Sequence, residues 1–322
     1  MVTPAEGLVE RWTAEQVRQA SLARFDDDGD VGFAVTAAPT ATLPTLHLNA
    51  PPVHRESLED LASAGLHTVA GLDISFRSSA GDEGVAVLAV LSYPELKVIT
   101  TLSRTVDLSS TPYVHSYLSF REAHFYVDLL GELSAKHPEI AKPQLLFVDG
   151  NGRWHPRQAG SAVAVGVKTG LPTVGIAKEY HPMHPPSSAS NPNPASASPS
   201  TSLPSPHDFR TSQRGMRKAC QAFLQQRGDW IGLTPPTVDS AAQTTEPAPA
   251  AAASSEYWGA ALLSSPSRNA QNPIFVSPAH RLSLTSAIRL ALLCTKEGKL
   301  PEPVRVADRV GREEARRIWP QG

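Results

Sequence analysis

A chain of 322 residues with a formal net charge of −2 carries no global basic field, so any contact with a polyanion has to come from a local patch. Its two cysteines, Cys220 and Cys294, exclude a disulfide framework and a cysteine-rich zinc site, and they fit a reducing compartment. The start Met1-Val-Thr-Pro-Ala-Glu-Gly7 lacks the charged opening and apolar core of a secretory signal, and no apolar run is long enough to span a bilayer. The expectation is a soluble intracellular protein with no membrane partner, in the cytoplasm or the nucleus, nucleolus included.

In chain order, the first expected helix runs over residues 13–24. Thr13-Ala-Glu-Gln16 has the form of a capping box, and Asp26-Asp-Asp-Gly-Asp30 ends the helix. Residues 33–65 are rich in Ala, Pro and Thr and receive no assignment. Strands are expected over 67–76, 84–91 and 96–106, joined by short turns into an antiparallel meander. A helix over 120–135 precedes an apolar strand that ends at Asp149, and a second helix, over 157–169, stops at Gly170. Pro172-Thr-Val-Gly-Ile-Ala-Lys178 reads as another strand. Residues 181–207 and 234–255 are mostly Pro, Ser, Ala, Thr and Asn and read as flexible insertions, with a helical stretch at 213–226 between them. A strand-like Tyr257-Trp-Gly-Ala-Ala-Leu-Leu263, a strand at 273–277, a helix at 283–296 and a basic helix at 304–317 complete the chain. Antiparallel strands followed by alternating helix and strand imply a layered α/β domain, and folded sequence after each insertion implies one interrupted domain over 1–322.

Three carboxylates stand where apolar sequence predominates. Asp73 lies inside Thr68-Val-Ala-Gly-Leu-Asp-Ile-Ser-Phe76, Glu122 opens the helix of Ser119-Phe-Arg-Glu122, and Asp149 ends Leu145-Leu-Phe-Val-Asp149 before Gly150-Asn-Gly152. A carboxylate among core residues is costly without a partner, and a divalent cation is one solution. Two or three such groups converging on Mg²⁺ make a phosphoryl-transfer centre. Each also has an ordinary reading: a wet strand face for Asp73, an Asx turn for Asp149, and a capping box for Glu122. Lys178 can set an ammonium against a phosphate or be a solvated strand end. His155, in Gly-Arg-Trp-His-Pro, can orient water, contact phosphate or be structural. Tyr113, on a Pro-bounded loop, can stack between bases or pack its own loop. Arg305, Arg309, Arg312, Arg316 and Arg317 can track phosphates, although Glu302, Asp308, Glu313 and Glu314 among them equally make an ion-paired helix face.

Taken together, the blocks resemble one family. Gly71-Leu-Asp-Ile-Ser-Phe76, Pro112-Tyr-Val-His-Ser-Tyr-Leu-Ser-Phe-Arg-Glu122, Val148-Asp-Gly-Asn-Gly152 with His155-Pro156, Pro172-Thr-Val-Gly-Ile-Ala-Lys178, Phe275-Val-Ser-Pro-Ala-His280-Arg and Leu300-Pro-Glu-Pro-Val-Arg-Val-Ala-Asp308 look like endonuclease V, in family order. Trp258-Gly-Ala-Ala-Leu262 resembles eukaryotic members in particular.

The resemblance implies a ribonuclease H-like three-layer fold with a mixed central sheet, interrupted by the low-complexity insertions. It implies a monomeric Mg²⁺-dependent endonuclease, with Mn²⁺ as the alternative ion. The substrate would be inosine-containing single-stranded RNA, cut at the second phosphodiester 3′ of inosine to leave 3′-hydroxyl and 5′-phosphate. Repair at deoxyinosine in DNA and non-catalytic binding of inosine RNA are the rival readings. By position, Asp73, Glu122 and Asp149 would be the metal carboxylates, Asp308 a peripheral acid and Lys178 the phosphate-side cation. Tyr113 would be the wedge, and Leu118, Gly150 and Gly175 would line the base pocket. Two departures stand out: His115 and Ser116 replace the Pro-Gly of the family's wedge loop, and Glu179 replaces a second lysine.

Overall fold

A computed structural model describes residues 7–44, 51–77, 81–183, 212–235, 257–267 and 272–320. Residues 184–207 and 236–255, which make up nearly all of the two expected insertions, lie outside the described residues. The helices are α1 (Leu8–Leu22), α2 (Ser119–Lys136), α3 (Ser161–Thr169), α4 (Gln213–Phe223), α5 (Leu284–Leu293) and α6 (Glu302–Ile318). The strands are β1 (Ala34–Thr36), β2 (Ala41–Leu43), β3 (Val53–Arg55), β4 (Ala62–Ala64), β5 (Thr68–Phe76) and β6 (Glu83–Ser92). They continue with β7 (Val98–Asp107), β8 (Leu145–Asp149), β9 (Thr173–Ala177), β10 (Asp229–Leu233), β11 (Gly259–Leu262) and β12 (Ile274–His280).

Among the described residues, ten strands form one sheet in the order β2-β3-β10-β11-β12-β9-β8-β5-β6-β7. Strands β5, β6, β8 and β9 are nearly unbroken apolar runs, the pattern of strands covered on both faces. One face packs Val69, Val87, Phe147 and Ile176 against α5 and α6. The other packs Ala70, Leu72, Leu146 and Val148 against α2 and α3. Three layers result. The meander β5-β6-β7 is antiparallel, as its short turns imply, whereas β5, β8 and β9 run parallel. The parallel register pairs Leu72 with Val148 and Asp149 with Ile176, so Asp73 within β5, Asp149 at the end of β8 and Lys178 just past β9 stand together at the carboxyl ends of β8 and β9.

Helix α6 crosses β5 at close range. A Cβ on Gly71 would lie 2.0 Å from the carbonyl oxygen of Pro303, so only glycine admits the helix there. That approach carries Asp308 over Asp73.

Several expectations change. Helix α1 starts at Leu8, five residues before the expected box, and the Thr13 hydroxyl donates to the Val9 carbonyl inside the helix. The unassigned stretch 33–65 holds four short strands. Helix α3 starts at Ser161 because His155–Gln158 forms a turn, closed by Gln158 N–H to His155 O, where the helix was expected to begin. Strand β10 was not foreseen; it is only five residues long and is anchored by Asp229, which accepts from Arg55 at 2.5 and 3.0 Å.

Candidate active site

Helix α6 brings Asp308 down onto the ends of the parallel strands, and there the acidic residues converge. One carboxylate oxygen each from Asp73, Asp149 and Asp308 lies within 4.8 Å of the others. The Lys178 ammonium sits among them, 2.6 Å from both Asp149 and Asp308 and 3.9 Å from Asp73. Arg312, one helical turn beyond Asp308, pairs with it. Burial, then the hydrogen bond and charge of Asp149, hold the Asp73 carboxyl well above the usual range, against the pull of Lys178. Burial also works against the Asp308 charge, but hydrogen bonds from Arg312 and Lys178 outweigh it and lower its pKa. Burial opposes the Lys178 charge as well, and the aspartates outweigh it and raise its pKa.

Glu122 stands apart from this close group. It lies in the first turn of α2, and Ser161 Oγ donates to its Oε2 at 3.2 Å. The capping-box reading is not realised, because α2 has no side-chain cap and the carboxylate is turned inward. Burial, reinforced by the charge of Asp149, pushes its pKa up to about 8. The compact set is therefore Asp73, Asp149 and Asp308, with Glu122 outside it; the resemblance implies a peripheral acid at Asp308, and the geometry puts its carboxylate within the set. On the sequence, Asp308 with Arg312 four residues on reads as a surface helix pair, which hides this role.

A cavity of about 220 Å³ opens beside the acidic group, lined by Tyr113, Leu118 and Gly150 among others. Tyr113 is 59% exposed at its mouth, with the Arg121 guanidinium 5.9 Å from its ring centroid. Gly175 does not line the cavity but packs behind its Gly150–Gly152 backbone: a Cβ there would lie 2.4 Å from Gly152 N and 2.7 Å from Gly150 O. Of the residues expected to line a base pocket, the structure thus places Leu118 and Gly150 on its wall and Gly175 one layer behind it.

His155 lines the same cavity and also meets the structural reading of the sequence. It is buried, its Nδ1 accepts from Arg157 N–H at 3.2 Å, and its Nε2 therefore carries the proton donated to Ser116 O at 2.9 Å. Burial, with Arg157 nearby, lowers its pKa to about 3, so the ring stays neutral. The Ser116 carbonyl also accepts from Gln16 Nε2 at 3.1 Å and from Arg157 at 2.8 Å. Three donors thus fix a residue whose φ is +65°, left-handed backbone that a serine rarely adopts. This is the position where the sequence replaces the family's wedge-loop glycine. Gln16 was missed by sequence reasoning; a buried glutamine on α1 donating also to Ala159 O shows itself only once the helix is docked.

The donor set is all oxygen, concentrated and under-compensated by Lys178 and Arg312, which fits a hard divalent cation. A buried carboxyl such as Asp73, its charge disfavoured by its neighbours, is the kind of group such a cation satisfies. Set beside a small cavity with a stacking-competent ring at its mouth, such a centre can bind a flipped base and act on a nearby phosphodiester.

The family model for endonuclease V matches residues 53–205 and 231–309. Human endonuclease V is 34% identical over 258 residues, covering 80% of this chain and 75% of the human protein. The chain is similar in structure to the catalytic domain of human endonuclease V, with a TM-score of 0.70 and 29% identity over 99% of this chain and 100% of that one. It shares its fold with endonuclease V of Ciona intestinalis in complex with a 24mer DNA containing an inosine followed by a ribo-adenosine, at a TM-score of 0.65 and 24% identity over 97% and 100% of the two chains. The mixed α/β sheet and these likenesses bear out the ribonuclease H-like expectation.

Proposed function

The chain belongs to the endonuclease V family of metal-dependent nucleases, hydrolases of phosphodiester bonds, and on that premise we propose that it cleaves inosine-containing single-stranded RNA. The cut falls at the second phosphodiester 3′ of inosine, leaving 3′-hydroxyl and 5′-phosphate. The observation that carries this reading is the close group of Asp73, Asp149 and Asp308 around Lys178, set beside a cavity with an exposed tyrosine at its mouth. The Ciona structure holds an inosine followed by a ribo-adenosine, and the proposal extends that kind of substrate to this chain.

Asp73, Asp149 and Asp308 would hold Mg²⁺, or Mn²⁺ in its place, with Glu122 as a further acidic member behind them. When bound, the ion neutralises charge on the scissile phosphate and activates a water. Lys178 sets a positive charge among the aspartates, which a phosphate oxygen could share. The cavity over Gly150 holds a flipped base against backbone, and its Watson–Crick edge is read by the polar groups of the wall. Tyr113 fills the gap left in the stack, a contact worth about 1–3 kcal/mol. Preference for RNA over DNA rests on the 2′-hydroxyl near the cut. The same proposal takes residues 1–322 as one catalytic domain acting as a monomer, since both matched spans feed strands into a single sheet.

The test is cleavage of a short single-stranded RNA carrying one inosine, beside matched DNA and adenosine controls, with Mg²⁺ and with EDTA. Mg²⁺-dependent cutting at the second bond beyond inosine, stronger on RNA and lost in Asp73→Asn and Asp149→Asn, is the expected result. Cutting of DNA alone would reassign the protein to repair. Binding without cutting under any metal would make it an inosine reader.

A further inference from the structure

The largest cavity among those described, about 430 Å³, lies on the far side of Lys178 from the base pocket. Tyr180 and Phe275 give it an apolar base, and Lys178, Arg217, Lys299 and Arg312 give it a positive wall. The charges are not equivalent. Lys178 is engaged by the aspartates and Arg312 by Asp308, whereas Arg217 and Lys299 form no ion pair among the described residues. Lys299 is partly buried and its Nζ donates to the carbonyl of Lys178 at 3.3 Å, so it stands one residue's width from the acidic centre. Burial lowers its pKa, the mark of an ammonium short of a counter-charge.

Arg217 comes from α4, which lies between the two spans matched by the family model. Ser212 caps the helix, its Oγ accepting from Gly215 N–H at 3.0 Å. Met216, Ala219 and Cys220 bury one face against Trp154, Tyr180 and Phe275. Gln213 and Arg217, four residues apart, consequently share the face toward the cavity. Glu179 also lines the cavity and removes positive potential beside Lys178, but Gln213 Nε2 donates to it at 3.5 Å and Arg217 restores the sign from across the groove.

We infer that this groove binds the phosphates of the strand segment 3′ of the cut, with Arg217 and Lys299 as its binding residues. The inference rests on the proposed inosine-directed cleavage, which sets the polarity. The base pocket adjoins Asp149 through Gly150, and Lys178 stands beyond Asp149. A strand whose base sits in the pocket and whose cut lies 3′ of it reaches the groove with its 3′ segment. An unpaired strand with flexible phosphates fits a groove of mixed apolar and cationic lining.

The experiment compares inosine oligoribonucleotides with one fixed 5′ arm and either a minimal 3′ arm or one extended by about eight nucleotides. The wild type is set against Arg217→Glu, which alters an exposed side chain, and against Arg217→Glu combined with Lys299→Gln. The wild type is expected to gain roughly tenfold in kcat/KM from the longer 3′ arm, through KM, and the double variant to lose that gain. The rate of Arg217→Glu on the minimal substrate stays within about twofold, and the salt dependence of binding the longer one falls by roughly one to two phosphate contacts in the double variant. Retention of the full 3′ gain in both variants overturns the inference. So does an equal loss for 5′ extensions. If the wild type shows no inosine-dependent cutting, the proposed function fails separately. The groove is then judged by anisotropy with a labelled, inosine-free, 5′-phosphorylated oligoribonucleotide: weaker binding by the variants sustains it, and equal binding removes it.

Discussion

Replacing Glu122 by Gln isolates the cost of burying an acid behind the catalytic group. The side chain is fully enclosed and its pKa rises from 4.5 to about 8, by burial first and the charge of Asp149 second. A carboxyl with a raised folded pKa binds more protons in the folded state, so stability falls as pH climbs from about 4.5 to 8. At pH 7 the folded group is protonated while the unfolded one is ionised some 2.5 units past its own pKa, a cost of about 3 kcal/mol. Glutamine carries no such cost, and its amide oxygen can still accept from Ser161. Glu122→Gln in EDTA should therefore gain about 3 kcal/mol in urea unfolding at pH 7, with the advantage shrinking to nothing near pH 4.5. Activity should fall at the same time, since the variant gives up an acidic group of the centre. No gain at pH 7, or a gain of equal size at pH 5, would refute the argument.

Ser116 holds left-handed backbone under three donors, so Ser116→Val should cost about 1–2 kcal/mol in thermal or urea unfolding while Ser116→Gly costs nothing or stabilises; equal stability of the two variants would contradict the strain. His155 has a folded pKa of about 3, below its unfolded value of 6.5, so its stabilising contribution is complete above pH 6.5 and drains away as pH falls toward 3. His155→Gln should flatten the stability profile between pH 6 and 4 by about 1.4 kcal/mol per pH unit, and an unchanged slope would show the ring to be protonated already. Gly175→Ala forces a methyl into the backbone of Gly150 and Gly152 and should destabilise by about 3 kcal/mol or more and weaken inosine discrimination; a neutral effect in both assays would mean that backbone can move.

Much of the molecule was legible because doubly covered strands need continuous apolar sequence, and β5, β6, β8 and β9 have it. An aspartate inside or at the end of such a run is conspicuous, which is why Asp73 and Asp149 stand out as candidates. Glu122 stands out as well, but its partner does not, since Ser161 lies on another helix and nothing local links them. The place of Asp308 in the acidic group is hidden because a helix carrying alternating charges looks the same whether its face meets solvent or other carboxylates. Gln16 escapes notice, and the sequence cannot choose among the readings of His155, for a related reason. Their work is to hold one carbonyl, that of Ser116, and a hydrogen bond across a hundred residues leaves no periodicity. The start of α1 was placed late because Thr13-Ala-Glu-Gln16 satisfies the spacing of a cap, whereas the real N-cap, Gly7, has no side chain to announce it.

The passage of α6 over Gly71 has a consequence for how the enzyme comes into being. Asp73 belongs to β5 and Asp308 to α6, so the acidic group joins residues more than two hundred positions apart in the sequence. Contacts of such long sequence separation form late, after the intervening chain has closed its loops. Until α6 docks, the two strand-borne acids have no third to complete the set. The acidic group is therefore complete only once α6 has settled over Gly71, and its formation reports on closure of the whole sheet.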